Sequence, residues 1–128
     1  RLPEVTLGIV PGFNGTQRLP KCIGMNKAKE ILFTGKMLTA ADALELGILN
    51  HVTEPEQLMN EVYAMAGQIA DNSASAISLV KAAVNAGSDM DIDIGKNIEL
   101  GYMAACFGTP DQIEGFASFK EKRAAKFR

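Results

Sequence analysis

The stretch that decides the fold is residues 1–20, which read R-L-P-E-V-T-L-G-I-V-P-G-F-N-G-T-Q-R-L-P. Its apolar run over residues 5–10 leads directly into a Pro-Gly turn, and this composition predicts a short β-strand. The Asn14-Gly15-Thr16 turn that follows predicts the start of a helix near residues 16–23. A buried strand, a turn and a helix therefore succeed one another within twenty residues.

One carboxylate, Glu4, stands directly before this apolar run, and Gly12 follows the run after one proline. A carboxylate held among apolar groups suits a general acid or base. The backbone N–H groups of a glycine turn beside a helix N-terminus can hold an oxyanion or a water molecule. From the residues alone, the alternatives are an exposed Glu4 on the surface and an ordinary turn-to-helix entry at Gly12. The segment lacks the Gly-Lys pair of a phosphate-binding P-loop.

The rest of the sequence indicates one more strand and a series of helices. The strand is predicted over residues 48–52, I-L-N-H-V. Thr39-Ala-Ala-Asp42 resembles a capping box, and Thr109-Pro-Asp-Gln112 combines a Thr cap with Pro at the first helical position. Start and stop signals predict helices over residues 26–34, from Thr39 to Gly47, from Pro55 through Ile69, from a Ser73 or Ser75 cap to Gly87, from Asp91 to about Phe107, and from Thr109 onward. The chain is thus predicted to be mostly α-helical with two or three short strands.

Apolar residues recur at helical spacing on several of these helices. Leu58, Val62, Met65 and Ile69 share one face, as residues at positions i, i+4, i+7 and i+11 do. Such stripes need a surface to cover, and two short strands provide too little sheet. We therefore expect further sheet, a partner subunit, or both to complete the fold.

Composition excludes several classes of function. The 128 residues carry a formal net charge of −2, with the basic residues concentrated near both ends, which is a poor basis for general nucleic-acid binding. No apolar stretch approaches the roughly 18 residues that a membrane-spanning helix needs, so no membrane partner is expected. We expect Cys22 and Cys106 to be free, buried thiols. We expect His51, the one histidine, to be structural or on the surface, and no metal site is predicted.

The segment P-E-V-T-L-G-I-V-P-G-F-N-G-T-Q-R-L-P resembles P-E-[IV]-x-L-G-[IL]-x-P-G-x-G-G-T-Q-R-L of the crotonase superfamily, whose nearest members are the enoyl-CoA hydratases. The likeness continues through residues 28–52 and 69–73 and into E-G-F-A-S-F-K-E-K-R at residues 114–123. It implies the α/β crotonase-type fold, a spiral of β-β-α units, of which this chain would be the C-terminal half. Residues 1–53 would end the spiral core, and residues 54–128 would form a helical oligomerisation region.

The resemblance also implies a reaction and its residues. Enoyl-CoA hydratases add water to the C2=C3 bond of a trans-2-enoyl-CoA thioester. Glu4 matches the family's glutamate that transfers a proton at the α-carbon, and Gly12 matches the glycine whose N–H helps to hold the water. Phe119 and Lys122 match positions that contact the adenine and the 3′-phosphate of coenzyme A, in many members across a subunit boundary.

Further expectations follow from the same likeness. The family's first glutamate and both oxyanion-hole donors would lie upstream of Arg1, so the isolated chain is expected to be inactive. No cofactor is expected, since acyl-CoA is the substrate. The full-length protein is expected to be a homo-oligomer, a trimer or a dimer of trimers, in the cytoplasm or alternatively the mitochondrial matrix. The open alternatives are an enoyl-CoA isomerase, another CoA-thioester enzyme, or a non-catalytic oligomerising fragment.

One position departs from the family's pattern. Asn14 stands where the family usually has glycine. Asparagine is among the non-glycine residues that best tolerate a left-handed backbone, so we expect the turn to survive. Phe13 beside it is compatible either with a wall for a short acyl group or with simple packing.

Overall fold

Helices form nearly all of the regular structure in the computed structural model, which describes residues 1–127; Arg128, part of the predicted helical region, lies outside the described residues. The helices within this range are α1 (Gly15–Ile23), α2 (Met25–Thr34), α3 (Ala40–Glu45), α4 (Leu58–Ala70), α5 (Ala74–Gly87), α6 (Ile92–Cys106) and α7 (Pro110–Glu121), and 3₁₀ turns form at Glu4–Leu7 and Pro55–Gln57. The chain divides into two compact units, one of residues 1–58 and one that begins at Met59. The predicted helices are confirmed to within a few residues at their ends.

The two predicted strands are wrong as descriptions of this chain, since residues 1–127 contain no strand. Glu4–Leu7 forms a 3₁₀ turn in which the Thr6 N–H donates to the Pro3 carbonyl at 2.8 Å. The N–H groups of Ile48 and Leu49 both donate to the Ala43 carbonyl, at 2.8 and 3.2 Å, and so complete the end of α3. A β-strand needs a neighbouring strand for its backbone groups. With none beside them, both segments satisfy these groups locally.

The first unit places the Glu4 turn against α2. The buried residues of α2 are Ala28, Ile31 and Leu32. Gly35, at the end of α2, has a left-handed backbone with φ of 58°. A Cβ atom at Gly35 would lie 3.3 Å from the Thr6 methyl group and 3.4 Å from the Pro3 Cα. Because Gly35 has no side chain, the turn that carries Glu4 can pack closely against the end of α2.

The predicted helix caps are confirmed atom by atom. The Asp42 N–H donates to the Thr39 hydroxyl at 3.1 Å, and the Thr39 N–H donates to the Asp42 carboxylate at 2.8 Å. The Thr39 N–H and the Thr39 hydroxyl, which both donate to the Asp42 carboxylate at 2.8 Å, lower the pKa of Asp42 because they favour its charged form. At α7, the Gln112 N–H donates to the Thr109 hydroxyl at 3.2 Å. Local sequence is sufficient to set both helix starts.

In the second unit, α5 packs against α6 and Ser73 links α5 to α7. Gly87 and Gly95 face each other where α5 and α6 meet, and a Cβ atom at Gly87 would lie 3.6 Å from the Gly95 Cα. Of the two candidate caps for α5, the structure uses Ser73, whose hydroxyl accepts from the Ala76 N–H at 3.1 Å. The same hydroxyl donates to Asp111 at 2.6 Å.

The expected uncovered apolar stripes are confirmed. Every residue of α4 is exposed, including Leu58, Val62, Met65 and Ile69 of its predicted apolar face. Within residues 1–127, no helix is both long enough and apolar enough to cross a lipid bilayer.

Candidate active site

Glu4 is half-buried, and one of its carboxylate oxygens has no hydrogen-bond partner. Its Oε2 atom is shielded from solvent and has no hydrogen-bond partner among the described residues. Buried polar atoms are nearly always hydrogen-bonded, so an exception at a carboxylate needs an explanation. The Glu4 backbone is held in the 3₁₀ turn, and its carbonyl accepts from the Ile9 N–H at 3.1 Å. The chain thus fixes the backbone of Glu4 and leaves one oxygen of its carboxylate without a partner among the described residues.

The N-terminal arm has a second attachment to α2. The Arg1 Nε–H donates to the Gly35 carbonyl at 3.1 Å, across 34 positions of sequence. This bond and the packing of Pro3 and Thr6 on Gly35 hold both sides of the turn. The position of Glu4 therefore depends on the end of α2 as well as on local sequence.

Gly12 lies in the same unit, next to the buried Pro11. No heavy atom lies within 4 Å of the Cβ position that a side chain at Gly12 would occupy. The packing of the described residues therefore does not require glycine here.

The expectation for Asn14 is confirmed. Its backbone is left-handed, with φ of 65° and ψ of 14°, and it precedes the first turn of α1. The Asn14 carbonyl accepts from the N–H groups of Gln17 and Arg18, at 3.1 and 2.8 Å. The neighbouring Phe13 is 98% exposed, so packing within the first unit does not account for it.

Phe119 and Lys122 lie together at the end of α7. Phe119 is 87% exposed and borders a groove of about 530 Å³ that Phe116 and Phe127 also line. Core packing within the second unit therefore does not explain Phe119. The Lys122 N–H donates to the Phe119 carbonyl at 3.3 Å, and Lys122 has a left-handed backbone with φ of 54°. Phe119 and Lys122 are therefore neighbours in the second unit, whereas Glu4 and Gly12 share the first unit without a described contact between them. We refer to Glu4 and Gly12 as the first pair and to Phe119 and Lys122 as the second pair.

Sequence reasoning missed an ion-pair cluster beside Lys122. Arg123 donates through Nη1 and Nη2 to both oxygens of Glu114, at 2.5 and 2.9 Å, and through Nε to Glu121 at 2.6 Å. The Arg123 guanidinium and the Lys126 N–H lower the pKa of Glu114 to about 2. The available signal was the spacing of nine residues between Glu114 and Arg123. Side chains that pair along a helix are three or four residues apart, so this spacing does not indicate an ion pair.

The cysteines, His51 and possible metal ligands give no support for a further site among the described residues. Cys22 is exposed, so its predicted burial is wrong, and Cys106 is half-buried; both thiols are free. His51 is exposed. Among residues 1–127, no group of three or more His, Cys, Asp or Glu side chains is arranged to hold a metal ion.

Comparison with known proteins identifies the family. The family model described as enoyl-CoA hydratase/isomerase matches residues 1–128. The chain belongs to the enoyl-CoA hydratase/isomerase family. The family resemblance seen in the sequence is therefore confirmed over its whole length.

Members of the enoyl-CoA hydratase/isomerase family with high similarity include a crotonyl-CoA hydratase of Syntrophomonas wolfei, 46% identical over 98% of this chain and 48% of the relative. A short-chain-enoyl-CoA hydratase of Clostridioides difficile is 47% identical over 92% of this chain and 76% of the relative. The crystal structure of an enoyl-CoA hydratase from Bacillus anthracis matches with a TM-score of 0.92 at 37% identity, over 98% of this chain and 48% of that chain. This likeness confirms the crotonase-type fold.

The chain spans about half the length of most of these curated relatives. Its assignment to the C-terminal half and the division near residue 53 stay predictions.

Proposed function

We propose that this chain is part of an enoyl-CoA hydratase that reversibly hydrates short-chain trans-2-enoyl-CoA thioesters to 3-hydroxyacyl-CoA. The observation that carries the proposal is the buried, unpaired Oε2 of Glu4 in a chain of this family. The names of the relatives from Syntrophomonas wolfei and Clostridioides difficile, crotonyl-CoA hydratase and short-chain-enoyl-CoA hydratase, support a short acyl chain.

The proposed chemistry assigns one task to each residue of the first pair. Water adds its oxygen to C3 of the enoyl thioester, and C2 receives a proton. Glu4 transfers the proton at C2, and the Gly12 N–H orients the water. Negative charge develops on the thioester oxygen during addition, and N–H donors must stabilise it. We assign these donors, and a second glutamate that acts on the water, to residues outside this chain.

The second pair holds the coenzyme. The exposed Phe119 ring stacks on adenine, and the Lys122 ammonium contacts the 3′-phosphate. Within the described residues, Lys122 forms no ion pair that would compete for its charge. The reaction as proposed uses no cofactor beyond the acyl-CoA substrate.

Self-association is a second proposed property. Helix α4, in which every residue is exposed, carries an apolar face, and exposed apolar surface of this kind is typical of protein interfaces. We assign this face to a homo-oligomer, a trimer or a dimer of trimers. An oligomer without turnover would support the non-catalytic alternative for the isolated chain. The bacterial relatives and a mouse relative named as mitochondrial support a cytoplasmic or mitochondrial matrix location.

A chimera tests the proposal most directly. The aligned 125-residue segment of the Syntrophomonas wolfei enzyme is replaced by this chain, and hydration of crotonyl-CoA is measured. We expect turnover, and we expect Glu4→Gln in the chimera to lower kcat by about 10²- to 10⁴-fold, the usual range for loss of a general acid–base. The matched control is Glu99→Gln, at an exposed glutamate of α6.

Two results would contradict the proposal. A folded chimera that does not hydrate crotonyl-CoA would overturn the activity. Turnover of a 3-enoyl-CoA with none of crotonyl-CoA would assign the chain to the isomerases instead.

A further inference from the structure

The chain reverses direction directly after α7, and Lys122 occupies the reversal. The Arg123 N–H donates to the Ser118 carbonyl at 3.0 Å, and the Lys122 N–H to the Phe119 carbonyl at 3.3 Å. This pair of bonds is the Schellman motif, in which glycine usually takes the left-handed position. Lysine there has a Cβ atom, which disfavours the left-handed backbone. The reversal therefore needs support from other contacts.

Glu114 supplies that support from seven residues before the end of α7. Its carboxylate accepts both terminal nitrogens of Arg123 and also the Lys126 N–H, at 2.8 Å. The residues after the reversal thus run back along the helix. The Phe127 ring follows, and its Cε1 atom would lie 3.7 Å from a Cβ atom at Gly115. We refer to Glu114, Arg123 and the Lys126 N–H as the α7 clasp.

The charges in the α7 clasp divide the basic residues into two kinds. Arg123 is bonded to two carboxylates, those of Glu114 and Glu121. Lys122, between them in sequence, forms no ion pair with a described residue. A guanidinium is ordinarily the better phosphate ligand, because its fork matches two oxygens. Here that fork is already occupied, whereas the Lys122 ammonium forms no ion pair with a described residue.

We propose that the α7 clasp is a positioning device, in which Glu114 and Arg123 hold the left-handed reversal that presents Lys122 to the 3′-phosphate of coenzyme A. This inference rests on the proposed function. It adds two positioning residues to the second pair and assigns Arg123 no contact with the phosphate. Arg123 and Glu121 are exposed, and ion pairs at such positions contribute little to stability. The cluster is therefore better explained by what it orients.

The test compares coenzyme A with 3′-dephospho-coenzyme A, two ligands that differ only in the phosphate. Their affinities are measured by titration calorimetry in the full-length protein and in variants. Glu114→Gln removes the negative charge of Glu114 and keeps the size of its side chain. Arg123→Lys keeps the positive charge and removes the guanidinium group that binds both oxygens of Glu114. Lys122→Ala removes the proposed phosphate contact. Asp93→Ala, which breaks the 3.1 Å ion pair with Lys96 on α6, is the matched control.

We expect the unaltered protein to prefer coenzyme A by about tenfold, the usual effect of a charge-assisted hydrogen bond. Lys122→Ala should abolish the preference. Glu114→Gln and Arg123→Lys should each remove most of it and leave the affinity for the dephospho ligand within about twofold, because only the phosphate contact is displaced. Asp93→Ala should keep the preference.

Three results would overturn the inference. If Lys122→Ala loses the preference while both clasp variants keep it, Lys122 needs no clasp. If the clasp variants weaken both ligands equally, the clasp is merely structural. If the unaltered protein binds both ligands equally, Lys122 does not contact the phosphate. Hydration of crotonyl-CoA by the same samples would show that the proposed activity stands in each case.

Discussion

The hydroxyl of Ser73 donates a 2.6 Å hydrogen bond to the carboxylate of Asp111, across 38 positions of sequence. Ser73 caps α5, and Asp111 lies in the first turn of α7. Ser75 donates to the same carboxylate oxygen at 3.1 Å. One carboxylate therefore links the first turns of two helices in the second unit.

Ser73→Ala should destabilise the chain by about 1–3 kcal/mol, because it removes a helix cap and takes one hydrogen-bond partner from the half-buried carboxylate of Asp111. Ser75→Ala is the matched control, since Ser75 is exposed and does not cap the helix. Urea denaturation followed by circular dichroism gives both values. Equal losses in the two variants would show that the cap and the link through Ser73 contribute nothing of their own.

Asn14→Ala should cost about 1–2 kcal/mol, because an alanine at φ of 65° meets the steric penalty of a left-handed backbone without asparagine's tolerance for it. Asn14→Gly should stay within about 0.5 kcal/mol, because the Asn14 side chain makes no cap hydrogen bond that would be lost. The same denaturation measurement applies. A glycine variant as unstable as the alanine variant would contradict the assignment of strain to the backbone.

Gly12→Ala should leave stability within about 0.5 kcal/mol, because the space around the new methyl group is open. It should nevertheless lower crotonyl-CoA hydration in the chimera, because the methyl group would stand beside the N–H proposed to orient the water. Gly35→Ala is the contrasting variant, with an expected cost of about 1–2 kcal/mol from its left-handed φ of 58°. A stable Gly12→Ala chimera with unchanged kcat would remove Gly12 from the proposed site.

Glu114 should titrate at a pH of about 2, because the Arg123 guanidinium stabilises its charged form and lowers its pKa. The ordinary pKa for this carboxyl is 4.5, so the stabilisation is complete above that pH and is lost as the pH falls toward 2. Carbon-detected NMR of the glutamate carboxyls measures the titration. Arg123→Gln should raise the pKa of Glu114 toward 4.5. A value near 4.5 in the unaltered chain would show that the ion pair does not form in solution.

The helices and their caps could be predicted from sequence because their determinants are local. Thr39 with Asp42 and Thr109 with Gln112 bond across a single turn, as their spacing indicates. The left-handed Asn14 followed from the same kind of reasoning. The strands at residues 5–10 and 48–52 were predicted from residue preference alone, and a strand forms only where another strand lies beside it.

The sequence by itself determined the family, the series of helices, and the choice of Glu4, Gly12, Phe119 and Lys122 as candidates, because motifs and caps are written in adjacent residues. Only the tertiary structure decided that an oxygen of Glu4 is buried and unpaired, and that Glu114 binds Arg123 beyond the end of its helix. Both depend on how the backbone folds back on itself, at Gly35 and at Lys122. Contacts between residues that are not neighbours in sequence hold the chain at these two reversals. A pattern of adjacent residues does not show such contacts.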